Sequence, residues 1–128
     1  MEVLTALKTL LCAYPQWGDQ PLDTNRLDHS PQACGLFPLG LQVRRRREDV
    51  QGNVVLQLRE SFLLRRAACA EEAGAQWLMA LEHWLLHQTL GDVGEQVRIT
   101  PTGGRLVTGK QPGTGIYELK IHVDYEKE

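Results

Sequence analysis

The 128-residue sequence is poor in cysteine. Cys12, Cys34 and Cys69 are odd in number, far apart, and form no Cys-x-x-Cys pair. They read as three reduced thiols, packed as small hydrophobes in a protein made in the cytosol. No run of about 18 apolar residues exists, which excludes a membrane-spanning helix. Met1-Glu2-Val3 lacks a basic n-region, and the apolar stretch after it contains Lys8 and no small-residue cleavage pattern, so no signal peptide is expected. Neither charge sign dominates: 14 Lys and Arg stand against 16 Asp and Glu, a formal net charge of -2. That balance excludes a general nucleic-acid coat and a polybasic membrane binder. No internal repeat is visible. Catalytic signatures are missing as well. The chain has no Gly-x-Ser-x-Gly elbow, Ser30 and Ser61 have no activating context in sequence, and adjacent carboxylates occur as Glu71-Glu72 at a helix start. The expectation is a protein that is not an enzyme and needs no cofactor or metal.

Hydrophobic residues make up 42% of the chain and charged residues 23%, ordinary globular usage. A chain of this length forms one domain, residues 1–128, and buries roughly two-thirds of its unfolded surface. Leu4, Leu7, Leu11 and Tyr14 recur at three-four spacing and predict a helix over 1–14, ended by Pro15. Residues 15–40 hold four of the six prolines, with Leu22, Leu27, Leu36 and Phe37 as apolar anchors, and read as a long irregular segment. Residues 41–66 read as a β-hairpin turning near Gln51-Gly52-Asn53. Its return strand carries Val54, Leu56, Leu58, Phe62 and Leu64 on one face and Gln57, Arg59, Ser61 and Arg65 on the other. Trp77, Leu78, Leu81, Trp84 and Leu85 predict an amphipathic helix over 71–90, with Glu71 and Glu72 favourably placed in its first turn. A short strand follows at 95–101, then a glycine-rich connection. A last strand runs from Ile116 to Tyr125, with Tyr117, Leu119, Ile121, Val123 and Tyr125 pointing one way. The fold expected is α+β: an antiparallel sheet of four to five strands with two helices packed on one face, in the order α-β-β-α-β-β.

Three clusters merit weighing. Gly104 to Lys110 has the glycine and lysine spacing of a phosphate-binding loop, but Gln111 stands where Ser or Thr must hold magnesium, and Pro112 and a strand follow where a helix is required. A flexible hairpin connection is the better reading. His83 and His87 lie one helical turn apart, a spacing that can bind zinc, but Trp84 occupies the position of the catalytic Glu and no third ligand is apparent, so surface placement is expected. Arg44-Arg45-Arg46-Arg47 is the sharpest charge feature. Along a strand alternate arginines point to opposite faces, so the run is not expected to form one patch. It suits a solvated, edge-protecting arm, or a contact with an acidic partner or passing DNA.

Several features combine in order along the chain. Leu22, Leu27, Pro31, Leu36 and Pro38 punctuate the early loop. An arginine-rich strand, the Gln51-Gly52-Asn53 turn and Phe62-Leu63-Leu64-Arg65-Arg66 follow. A Trp-bearing helix and the run Ile116-Tyr117-Glu118-Leu119-Lys120-Ile121-His122-Val123-Asp124-Tyr125 complete it. Together they resemble a family of small prophage proteins from siphophage-like structural clusters of Gram-positive bacteria, minor capsid proteins similar to tail terminator or head-tail joining proteins. The resemblance covers nearly the whole chain and rests on order and spacing. It implies a compact α/β subunit of a ring, usually a hexamer, that caps the tail tube and meets the head connector. It also implies assembly in the bacterial host cytoplasm and residence in the virion, with no catalytic residues to carry over. The charge at Arg45 to Glu48 departs from the family's apolar hairpin strand. On this reading Phe37, Arg44, Arg46, Arg105 and Lys110, the last two within the 102–115 connection, lie at subunit contacts or the lumen; a heterologous interface of this kind closes into a ring when its rotation divides the circle. The partners expected are further copies of the chain and the tail tube and connector proteins, with no membrane and no specific nucleic-acid binding. Two other classes stand beside it: a small nucleic-acid-binding regulator using the Arg44–Arg47 arm, and a small enzyme on an α+β scaffold, which would need an enclosed pocket with a perturbed titratable group.

Overall fold

Apolar alternation in Val54–Leu64 and Tyr117–Tyr125 suits two strands of one sheet, which pair side by side, and the remaining elements follow from covering one face of it. The computed structural model describes residues 2–18, 21–27, 33–67, 71–90, 97–108 and 116–127; for 71–75 and 103–108 it describes the backbone alone. The elements are α1 (Val3–Cys12), β1 (Leu22–Thr24), β2 (Cys34–Glu48), β3 (Val54–Ala67), α2 (Glu71–Leu85), β4 (Arg98–Thr108) and β5 (Ile116–Lys127). They form a five-stranded sheet in the order β1-β2-β3-β5-β4.

The α+β class and the two helices agree with the sequence reading; the element order and the purely antiparallel sheet do not. The segment 15–40, expected to be irregular, contributes β1, which pairs in parallel with the start of β2 through Leu22–Cys34, Asp23–Gly35 and Thr24–Leu36. The sheet is therefore mixed, and the order becomes α-β-β-β-α-β-β. A three-residue strand gives too short a period for alternation to register in sequence. β2 begins seven residues before the expected hairpin, and β4 continues to Thr108, through part of the glycine-rich stretch read as connection. Register shifts at Thr102/Arg105 and Leu106/Thr108 mark where Gly103 and Gly104 are absorbed as an irregularity of the ladder. α1 stops at Cys12, with Ala13 closing its last turn, rather than running to Tyr14.

β3 and β4 are each antiparallel to β5 and so run parallel to each other. Parallel strands need a crossover, and α2 supplies it, which is why this helix lies against the sheet. Cross-strand rows Leu36–Leu64–Leu119, Phe62–Ile121 and Ile99–Val123 point at the helices and are buried. Leu7 and Leu11 of α1 and Leu78, Leu81 and Leu85 of α2 pack on them in one core cluster. Each such side chain contributes about 1.5–3 kcal/mol of burial free energy. An aromatic corner closes the layer. Tyr14 meets Trp77 and Trp84 at ring-centroid distances of 6.0 and 5.2 Å, and Trp17 meets Trp77 at 5.5 Å. Arg66, 8% exposed, points inward and lays its guanidinium 3.6 Å from the Trp77 ring centroid.

Helix cover ends before the sheet does. β2 is exposed from Pro38 to Glu48, and among the described residues its outer edge has no strand partner beyond Leu36, because β1 ends at Thr24. β2, β3 and β5 continue outward as a three-stranded blade, tipped by a turn in which the Asp49 carboxylate accepts hydrogen bonds from the Gln51 and Asn53 backbone amides at 2.9 and 2.8 Å. These bonds hold the Asp49 carboxyl below the ordinary carboxylate range. Gly52 takes φ +85° there, a conformation open to glycine.

Candidate functional site

Two surfaces of the blade carry the exposed chemistry. On the helix side, Leu41 lies opposite Glu60 and Val43 opposite Leu58, with Leu56 beside Arg46 farther out. This is the continuation of the core face without its helices. Leu39, Leu41, Val43 and Val50 are all more than half exposed. Where the blade emerges, a cleft of about 700 Å³ is lined by Glu2, by Val3 and Leu4 of α1, and by Glu60, Tyr125, Glu126 and Lys127. Tyr125 donates its hydroxyl to Glu60 Oε1 at 2.7 Å. Burial, then that hydrogen bond, pushes the Tyr125 phenol up to about 12.

The opposite face of the sheet is a polar ladder built from alternate residues of four strands. Arg65 pairs with Glu118 at 3.2 Å, Arg59 with Asp124 at 2.7 Å, and Arg47 with Glu126 at 3.3 Å. Arg59 uses both Nε and Nη2 on the two Asp124 oxygens, the bidentate geometry that favours arginine. Gln57 also donates to Glu126. Between the Arg65 and Arg59 rows, Ser61 Oγ and His122 Nδ1 lie 2.8 Å apart. This pair is the activating context for Ser61 that sequence reading missed: the two residues are 61 positions apart, and only the β3–β5 register joins them. It matches the nucleophile and base of a hydrolytic dyad in distance. No carboxylate orients the imidazole through a hydrogen bond among the described residues; the neighbouring Asp124 accepts from Arg59 with both oxygens. Burial, reinforced by Arg59 and Lys120, holds the His122 imidazole below its ordinary value.

The arginine run is arranged differently from a plain alternation. Val43 faces Leu58 but Arg45 faces Gln57, so Arg44 is the extra residue of a β-bulge. The slip turns Arg45 and Arg47 onto the polar face and Arg46 onto the apolar one. Arg44 lines an open groove of about 580 Å³ together with Arg59, Asp124 and Arg98 of β4, and its charge reaches His122. Three of the four arginines thus serve one face and Arg46 the other; the run is split as expected, but the bulge at Arg44 replaces simple alternation.

Among the other candidate residues, Phe37 lies half-buried on the polar face beneath Arg65, whose guanidinium carbon is 5.3 Å from its ring centroid. Arg105 stands in β4 opposite Glu118 by register. Lys110 lies outside the described residues, as do Cys69, Ser30 and the end of the phosphate-loop-like stretch, whose first part, Gly104–Thr108, belongs to β4. The structure brings Arg44 together with Arg59 and Arg98; it does not bring Arg46 to them. His83 and His87 are exposed, with ring centroids 5.5 Å apart. Among the described residues no group of three His, Cys, Asp or Glu converges, and no helix is long and apolar enough to cross a membrane. Cys12 is exposed, whereas burial pushes the Cys34 thiol up to about 12 against the opposing charge of Arg66.

The class of protein these features define is a two-layer α+β protein with helices on one sheet face and a long uncovered blade. No protein-family model and no curated protein matches the chain.

Proposed function

We propose that the protein is a structural assembly subunit of a phage or prophage virion, a tail terminator or head-tail joining protein that forms a ring on the tail tube. The observation that carries this reading is the blade. A strand edge that no described residue pairs with from Phe37 to Glu48 is a template for pairing with another chain. The Leu39, Leu41 and Val43 side chains beside it give that pairing an apolar surface to bury. Subunit chemistry also suits the charge layout, since the neighbouring cleft holds Glu2 and Glu60, beside Lys127, while the blade carries arginines. The order and spacing along the chain that resemble the minor capsid family support the particular assignment.

The test is sedimentation velocity of the protein alone and mixed with tail tube protein, for the parent chain and for Leu41→Lys/Val43→Lys. The parent should form rings or cap tubes visible by negative stain, and the double variant should do neither while keeping its circular dichroism. A parent chain that stays monomeric at every salt concentration and ignores the tube would refute the proposal.

A further inference from the structure

The polar face of the sheet lies on the other side from the apolar blade surface, and its charge does not follow the net charge of the chain. Three of its carboxylates are each held by an arginine: Glu118 by Arg65, Asp124 by Arg59 and Glu126 by Arg47. A fourth, Asp23 of β1, stands opposite Gly35 at the far edge of the sheet. Those pairs cancel. Arg44, Arg45, Arg98 and Lys120 remain. All four are exposed, and none makes a side-chain hydrogen bond or ion pair among the described residues. They come from three different strands, β2, β4 and β5, and register places them in adjacent rows: Lys120 one row from His122, His122 one row from Asp124 and its partner Arg98, and Arg45 one row farther out beside Gln57. A chain of net charge -2 therefore carries on this face, among the described residues, four unpaired cations against one unpaired carboxylate, Asp23.

Two features point to the kind of anion. The uncompensated groups are spread over four successive rows, each about 6–7 Å from the next along a strand, so they suit an extended polyanion better than one small ion. The face also has little to offer a protein partner. Its apolar members, Phe37, Leu63 and Val55, are half-buried, and Phe37 is capped by Arg65. Protein interfaces concentrate aromatic and apolar anchors at their centre; phosphate-backbone binding needs cations alone.

We propose that this face binds the phosphate backbone of duplex DNA without reading its sequence. Binding runs through Arg44, Arg45, Arg98 and Lys120. The bulge at Arg44 is what directs the arginine run toward this face. The proposal is independent of ring assembly, since it concerns the surface of one subunit, and either can fail alone.

Fluorescence anisotropy with a mixed-sequence duplex of about 25 base pairs, measured over a salt series, tests it. Counterion release gives a slope of log affinity against log salt of about -0.9 per phosphate, so four contacts give about -3.6. Arg98→Glu/Lys120→Glu should make the slope shallower by about two and weaken binding about a hundredfold near 50 mM salt. Both side chains are exposed, so the variant should keep its fold, checked by circular dichroism. Arg45→Glu should weaken binding, whereas Arg46→Glu, its neighbour on the opposite face, should leave it within about twofold. The His122 ring resonances should shift on DNA addition and those of His83 and His87 should not. Absence of binding near 20 mM salt, equal effects of Arg45→Glu and Arg46→Glu, or binding of polyglutamate as tight as that of DNA would each overturn the proposal. So would an Arg98→Glu/Lys120→Glu variant that loses only self-association.

Discussion

Replacing Arg66 by methionine probes the least ordinary feature of the core. Arg66 is 8% exposed and its guanidinium sits 3.6 Å from the Trp77 ring centroid. Cation–π attraction is worth about 0.5–1 kcal/mol at exposed sites and about 2 kcal/mol or more where the cation is desolvated. This geometry is of the second kind. Arg66 has further interactions besides this ring, and Trp77 donates its indole N–H to the Gln16 carbonyl at 3.2 Å. Single-variant losses therefore mix several effects. A double-mutant cycle of Arg66→Met and Trp77→Leu isolates the pair, with an expected coupling of about 1.5–2 kcal/mol. In a chain of this size each kcal/mol corresponds to roughly 3–5 °C in Tm. Urea unfolding followed by tryptophan fluorescence reads the coupling, and thermal unfolding followed by circular dichroism reads the Tm shifts. A coupling below about 0.5 kcal/mol would refute the reasoning, because it would mean that the charge is held by its other contacts and merely lies over the ring.

Other expectations follow from single features. Gly35→Ala should destabilise by several kcal/mol in chemical denaturation, since a Cβ there would collide with the Arg26 backbone carbonyl, which cannot give way as a side-chain tip can. At pH 8, iodoacetamide should modify Cys12 and leave Cys34 unmodified in the native protein, read by peptide mass mapping; equal labelling would contradict the burial of Cys34. His122 has a folded pKa below its unfolded value, so as pH falls below about 6.5 the unfolded chain takes up the proton first and stability declines. Its neighbours across the ladder are Ser61, Thr100, Lys120, Asp124 and Arg59. His122→Gln should flatten that part of the pH profile of urea midpoints. Tyr125 behaves in the opposite sense: with its phenol pushed up to about 12, stability should fall as pH rises above about 10, and Tyr125→Phe should remove that loss.

The class of the fold was legible because it depends on local periodicity. Period two in Val54–Leu64 and Tyr117–Tyr125, and helical spacing in Leu78, Leu81 and Leu85, record which side of each element is removed from water. Residues on those predicted faces, Phe62, Leu64, Leu119, Ile121 and Val123, are buried. β1 was not legible, because three residues carry no period and its pairing partner starts ten residues farther along the chain. The inward turn of Arg66 was equally hidden. In sequence it is the second of two arginines closing a strand, and only the position of Trp77 on α2 gives it a reason to face the core.

What the sequence determined by itself is the alternation of covered and uncovered faces, since each side chain's direction along a strand or helix is set by backbone geometry alone. Register, strand order and the bulge at Arg44 were decided by tertiary structure, because they depend on which distant segments share hydrogen bonds. Those pairings join Ser61 to His122 and Arg59 to Asp124. They also gather an unremarkable total charge into a polar face with four cations unmatched, a distribution no count along the chain contains.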